Sequence, residues 1–110
     1  MSDELRVLGA ARAVVDEIHA VVAKSRRRLH HVVQLLDSAE LTCANIREAY
    51  GRRQGPERNQ FLRFARGSAE ETDEHLRENY GDERLDRRVY WRRHNRIAVI
   101  VKMLNRLMGE

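Results

Sequence analysis

One cysteine, one proline and two phenylalanines are all that this 110-residue sequence holds of those residue types. With Cys43 alone no intrachain disulfide can form, and a zinc site built from several cysteines is excluded. With Pro56 as the single proline, little interrupts a chain rich in Arg, Glu, Ala and Leu, a composition that favours long helices. No run of about 20 apolar residues is present, so nothing is expected to span a membrane. The opening stretch MSDELRVLGAARAVVDEIHAVVAK is acidic before it is apolar and carries Asp16 and Glu17 inside it, unlike a secretory leader. The expected location is the cytoplasm. There is no phosphate-binding glycine loop, no convincing Ser-His-Asp or Cys-His arrangement, and no carboxylate pair with a clear role. The sequence therefore reads as non-enzymatic and without a cofactor. A di-iron bundle needs Glu-x-x-His on two helices, and the only loose analogue is Asp16-x-x-His19. No metal site is expected.

What is there is helix. Hydrophobic residues make up 42% and charged residues 35%, which is too apolar for a disordered chain. Apolar residues recur in steps of three and four along four segments. The first holds Leu8, Ala11, Val15, Ile18 and Val22, with Ser2 placed as its N-cap. The second runs Leu29, Val32, Leu36, Ala39, Cys43, Ile46 and Tyr50 to a stop at Gly51. The third carries Phe61, Phe64, Ala65, Ser68, Thr72, His75 and Leu76 after a restart at Gly55-Pro56. The fourth carries Leu85, Val89, Ile97, Ile100, Leu104 and Leu107. The spacing predicts helices over about 3–24, 26–50, 56–80 and 82–108, with Ser25 and Asp82 as the caps of the second and fourth. Residues 1–110 then form one all-α domain, and the short connections imply an antiparallel up-down-up-down four-helix bundle.

Charge is unevenly spread. Residues 1–46, 47–69, 70–86 and 87–110 carry net charges of 0, +4, −6 and +6. The acidic block late in the third helix and the basic start of the fourth should lie together and neutralise each other, within or between subunits. The 47–69 block has no such neighbour. Its arginines, Arg47, Arg52, Arg53, Arg58, Arg63 and Arg66, gather about the turn at 51–56. Arg6, Arg12, Lys102 and Arg106 come to the same end. A positive pole is expected there, able to attract phosphate backbones with salt-sensitive, weakly sequence-selective binding. The same cluster also fits a solvated surface with no ligand.

The stretch Asn45-Ile46-Arg47-Glu48-Ala49-Tyr50-Gly51-Arg52, followed by Phe61-Leu62-Arg63-Phe64-Ala65-Arg66-Gly67-Ser68 and then Glu71, resembles a known family. It is similar to the small four-helix-bundle proteins encoded in intervening sequences of bacterial 23S ribosomal RNA genes. Both of that family's motifs are in register here over roughly residues 30 to 80. The chain departs from the pattern in having Cys43-Ala44 where a proline often precedes the Asn, Ala49 at the motif's first Gly, and Arg58 where a Phe stands early in the third helix. The resemblance implies a non-catalytic homopentamer. It also implies kinship with the accessory variability determinant of diversity-generating retroelements, which partners a reverse transcriptase and binds nucleic acid.

Three local features remain open. Gly67-Ser68 with Ala65 and Ala69 reads as a small-residue patch permitting close helix approach. Asn45, Glu48 and Glu71 read as a structural polar network partnered by Arg52 or Arg63, or else as a small functional pocket. Tyr90 and Trp91 suit a subunit interface, or base stacking beside Arg92 and Arg93. The leading expectation is a non-enzymatic homo-oligomer binding RNA or DNA through its basic pole. The alternative is a protein adaptor, such as the accessory subunit of a retroelement reverse transcriptase.

Overall fold

The computed structural model describes residues 2–110, and among them every regular element is helical: α1 (Asp3–Lys24), α2 (Val32–Tyr50), α3 (Pro56–Gly81) and α4 (Arg87–Leu107). Each helix packs on its sequence neighbours and α4 closes the ring on α1, while the backbones of the diagonal pairs do not approach closely. Successive helices run in opposite directions. The start of α1 meets the end of α2 through Ser2 and Tyr50, whose hydroxyls lie 2.8 Å apart. The start of α2 meets the end of α3 through His30 and Asn79. Asn105, late in α4, accepts from Arg66 early in α3. The result is the up-down-up-down bundle, about 44 × 22 × 21 Å.

The seam is formed by Val7, Ala11, Val14, Val15 and Ile18 of α1 against Leu35, Ala39, Cys43, Ile46 and Ala49 of α2. Opposite them lie Leu62, Ala65, Ala69 and Leu76 of α3 and Tyr90, Ile97, Ile100 and Leu104 of α4. The third stripe is therefore phased on Leu62 rather than on Phe64, which is half exposed at 49%. Two phenylalanines three apart suggest a face, but Phe61 already sits at its edge, and Leu62 lies one turn before Ala65 and two before Ala69. Burial in this core pushes the Cys43 thiol above its ordinary value, against the lowering effect of Arg12 and Arg47.

Ser2 caps α1 as the sequence suggests, its Oγ accepting from the Leu5 N–H at 3.2 Å. Two other boundaries differ from expectation. Helix α2 starts at Val32, not at 26, and Ser25 ends α1 instead of capping α2. Three successive arginines, Arg26 to Arg28, supply no apolar anchor, and His31 adopts a left-handed φ of 53° that no helix passes through. The 25–31 segment is pinned from outside: Arg84 donates to the Arg28 carbonyl at 2.6 Å. His30 and His31 accordingly lie ahead of α2 rather than within it. Likewise α4 starts at Arg87, after Asp86. Asp82 closes α3, because the carbonyl of Asn79 accepts the N–H groups of Arg84 and Leu85 and turns the chain before a new helix can begin.

The close approach expected at Gly67 does not occur within the chain. Ala65 and Ala69 are buried, but Gly67 is on the solvent side and a Cβ built there meets nothing within 4 Å. Gly67→Ala should thus raise stability by about 1 kcal/mol, the helix-propensity difference alone. A urea melt checks this, and a destabilised variant would show that Gly67 has a neighbour.

Candidate nucleic-acid interface

The six arginines of the 47–69 block do come to one end of the bundle, but they are not alike. Arg47, Arg53 and Arg63 are exposed and, among the described residues, have no carboxylate within 4 Å. The other three are held. Arg52 pairs with Glu48 at 3.1 Å and Glu57 at 2.5 Å and lies over the Phe61 ring. The Glu48 hydrogen bond and then the Glu57 charge push its guanidinium above the usual arginine value. Arg66 is bound to Glu110 at 2.6 Å and to the Asn105 side chain at 2.7 Å. Arg58 is buried, with 5% of its side chain exposed, and bonds Glu4 at 2.5 Å. The unneutralised pole expected from sequence is corrected to half its size. Carboxylates from the start of α1, the end of α2, the first turn of α3 and the C-terminus converge on the turn from distant points of the chain.

Glu4–Arg58 is the one ion pair here with a buried member. A buried charge stripped of its partner is costly, whereas a partly exposed partner can rehydrate. Glu4 is a third exposed and Arg58 is not. Glu4→Ala is therefore expected to cost about 2 kcal/mol, and Arg58→Met, which keeps the apolar stem, less than half of that. Denaturant midpoints of the two variants test the order.

The second correction concerns the acidic and basic blocks, which barely neutralise each other within the chain. Only Asp73 reaches α4, through His94 Nδ1 at 2.9 Å. Two other acids of the block meet histidines ahead of α2: Asp82, just past α3, meets His30 at 3.2 Å, and Glu78 meets His31 at 3.8 Å. On α4, Arg93 and Arg96 both turn to Glu17 of α1, Arg93 at 3.3 Å. Burial, and then the charge of Arg92, still push the Arg93 guanidinium below its ordinary value.

This leaves α4 with an uncompensated outer face. The helix has seven cationic residues and no carboxylate in its whole length. Arg88, Arg92, Lys102 and Arg106 are exposed on it and, among the described residues, have no carboxylate within 4 Å. Their spacing of four, ten and four residues keeps them near one side, and 18 residues of helix place the ends about 27 Å apart. Trp91 lies beside them, 43% exposed. Tyr90 does not: it is buried and stacked on Tyr80 at 4.9 Å, so its place is in the core and not at a subunit interface or against a base. Among the described residues no three His, Cys, Asp or Glu side chains gather to hold a metal ion. Among the described residues no helix is long and apolar enough to cross a membrane.

Residues 3–106 match the model of one family, described as 23S rRNA-intervening sequence protein. The chain belongs to that family. Among solved structures, a protein of unknown function from the S23 ribosomal protein family of Bacteroides thetaiotaomicron superposes with a TM-score of 0.88. The two share 22% sequence identity, over 99% of this chain and 100% of that one, so the likeness is one of fold. No curated protein matches the sequence.

In this 23S rRNA-intervening sequence protein the motif residues mostly build the turn between α2 and α3. The Gly51 N–H bonds the carbonyls of Arg47 and Glu48, Tyr50 ties that end to Ser2, and Glu48 holds Arg52 over Phe61. Asn45 Nδ2 donates to the Leu41 carbonyl of its own helix at 3.0 Å. Ser68 offers its carbonyl to Thr72, whose hydroxyl also meets that of Ser38 across α2–α3 at 2.8 Å. Glu71 is exposed and 3.9 Å from His75. Asn45, Glu48 and Glu71 therefore do not join in one network, and Arg63 partners none of them.

Proposed function

We propose that this family member is a non-enzymatic, homo-oligomeric bundle that binds RNA or DNA, and that the outer face of α4 makes the principal contact. The observation that carries the reading is a cationic face with no carboxylate on its own helix. Exposed cations near acids attract phosphates weakly, because their field is already spent. Cations without such neighbours release condensed counterions when they meet a phosphate backbone, which is the main source of nucleic-acid affinity. Exposed Trp91 adds a surface on which an unpaired base can stack. Arg47, Arg53 and Arg63 extend the positive surface around the 51–55 turn as a secondary contact.

Assembly is supported by two half-exposed apolar side chains, Leu41 of α2 and Phe64 of α3, on helices that pack together. A second copy covering them would remove that surface from water, and the family resemblance implies five copies. Light scattering of Leu41→Glu/Phe64→Glu tests it: a smaller particle supports the assembly, and an unchanged one removes this face from it. The adaptor reading draws on the exposed Glu70, Glu71, Glu74 and Glu78 of α3, which would fit a basic protein surface. Anisotropy titration of labelled single-stranded RNA against salt decides between them. Saturable, salt-dependent binding supports the nucleic-acid reading, and its absence at low salt would leave the adaptor.

A further inference from the structure

At the end of the bundle away from the 51–55 turn, the last turns of α1, the 25–31 segment and the α3–α4 connection border an open cleft of about 720 Å³. That volume lies within the range of small-molecule sites. Its floor is apolar, from Ala20, Val21, Leu85 and Val89, together with Tyr80, whose ring is fixed by stacking on Tyr90. Its rim is cationic. Lys24, Arg26 and Arg27 stand on one side and Arg87 on the other, and among the described residues none of the four has a carboxylate within 4 Å. Arg84 and Arg93 also line the cleft. Arg84 is held by the Arg28 carbonyl at 2.6 Å, and Arg93 by the Val89 carbonyl at 3.2 Å and by Glu17 of α1 at 3.3 Å, while the Nε atoms of both are buried without an acceptor. Two carboxylates, Glu83 and Asp86, share the lining with six cations.

We propose that this cleft binds a nucleoside polyphosphate, with the base on the apolar floor and the phosphates among the rim cations. Four unpaired cations around one opening match a multiply charged group, and a single carboxylate would engage only one or two of them. The opening is wide, which suits a flat base more than an acyl chain needing enclosure. The site is separate from the α4 face, since none of Arg88, Arg92, Lys102 or Arg106 lines it. The ligand's source is either a free nucleotide or the 5′-triphosphate end of an RNA strand.

Calorimetry with ATP and with inorganic triphosphate, and anisotropy with 5′-triphosphorylated against 5′-hydroxyl RNA, test the proposal. Saturable ATP binding, at least tenfold tighter than inorganic triphosphate, supports a free nucleotide. A tenfold preference for the triphosphorylated strand, without ATP binding, supports the strand end. In either case Ala20→Trp, which fills the cleft and keeps every charge, and Arg26→Gln/Arg87→Gln should each weaken binding at least tenfold. Replacing Arg88, Arg92, Lys102 and Arg106 together with alanine should leave ATP binding intact, so the two sites fail or succeed separately. No binding of either nucleotide form, equal binding of inorganic triphosphate, or indifference to Ala20→Trp would overturn the proposal.

Discussion

Asn79→Ala is expected to lose about 3 kcal/mol of stability, more than any single surface change. Asn79 is fully buried near the end of α3, and its amide does the work of a backbone strand. Its Oδ1 accepts the His30 N–H at 2.6 Å, and its Nδ2 donates to the His30 carbonyl at 3.2 Å and the His75 carbonyl at 2.8 Å. Truncation removes all three bonds and strands a part-buried N–H, at about 1 kcal/mol for each bond plus the desolvation left uncompensated. The loss has a local signature too. The same amide fixes the 25–31 segment, so native-state trypsin cleavage at Arg26, Arg27 or Arg28 should quicken beyond what the global loss explains. Asn79→Asp keeps the acceptor for His30 and should fall between. An alanine variant that melts like the parent and resists trypsin equally would show that the segment is held by Leu29 and Arg84 alone.

Such a residue is hard to read from sequence because its partner lies 49 positions away. The helices themselves were legible. Local periodicity places Ile18, Cys43, Ile46, Ala65, Leu76, Ile97 and Leu104 in the core, and Ser2, Gly51 and Pro56 punctuate the chain where expected. Errors arose where a long-range contact overrides a local signal. The α2 start moves to Val32 because His30 is bonded to α3, and the α4 start moves to Arg87 because the Asn79 carbonyl captures Arg84 and Leu85.

The charge pairing around the candidate site departs from the sequence reading for a related reason. Summing charge by blocks of sequence treats an acidic block and a basic block as neighbours that cancel, but a helix has faces. Among the described residues Asp73 alone of the α3 carboxylates pairs with α4, and the α4 arginines that do pair turn to α1. Glu57, Glu4 and Glu110 meanwhile reach Arg52, Arg58 and Arg66 from three separate places. One signal was available in the sequence: Arg87 to Leu107 contains no acid, so its outward cations could only be neutralised from another helix.

Replacing Arg88, Arg92, Lys102 and Arg106 together with alanine is expected to cut affinity for single-stranded RNA roughly two hundredfold at about 0.15 M salt. Each phosphate contact to a single strand contributes about −0.7 to the slope of log affinity on log salt, so four contacts contribute about −2.8. Raised to that power, the salt ratio between about 0.15 M and the 1 M reference gives the two hundredfold. The slope itself should flatten by about 2.8, and this is the sharper readout, since partial unfolding would not change it in proportion. All four side chains are exposed and unpaired, so folding should be spared, and alanine favours the helix. Arg47→Ala/Arg53→Ala/Arg63→Ala is the control at the other candidate surface, with a loss of tenfold or less. If the control flattens the slope more than the α4 variant does, the 51–55 turn is the contact. If neither changes it, cations outside both sets carry the binding, and the outer face of α4 is not the nucleic-acid surface. Trp91→Ala separates stacking from charge: it should weaken binding by about 1 kcal/mol or more and leave the slope unchanged.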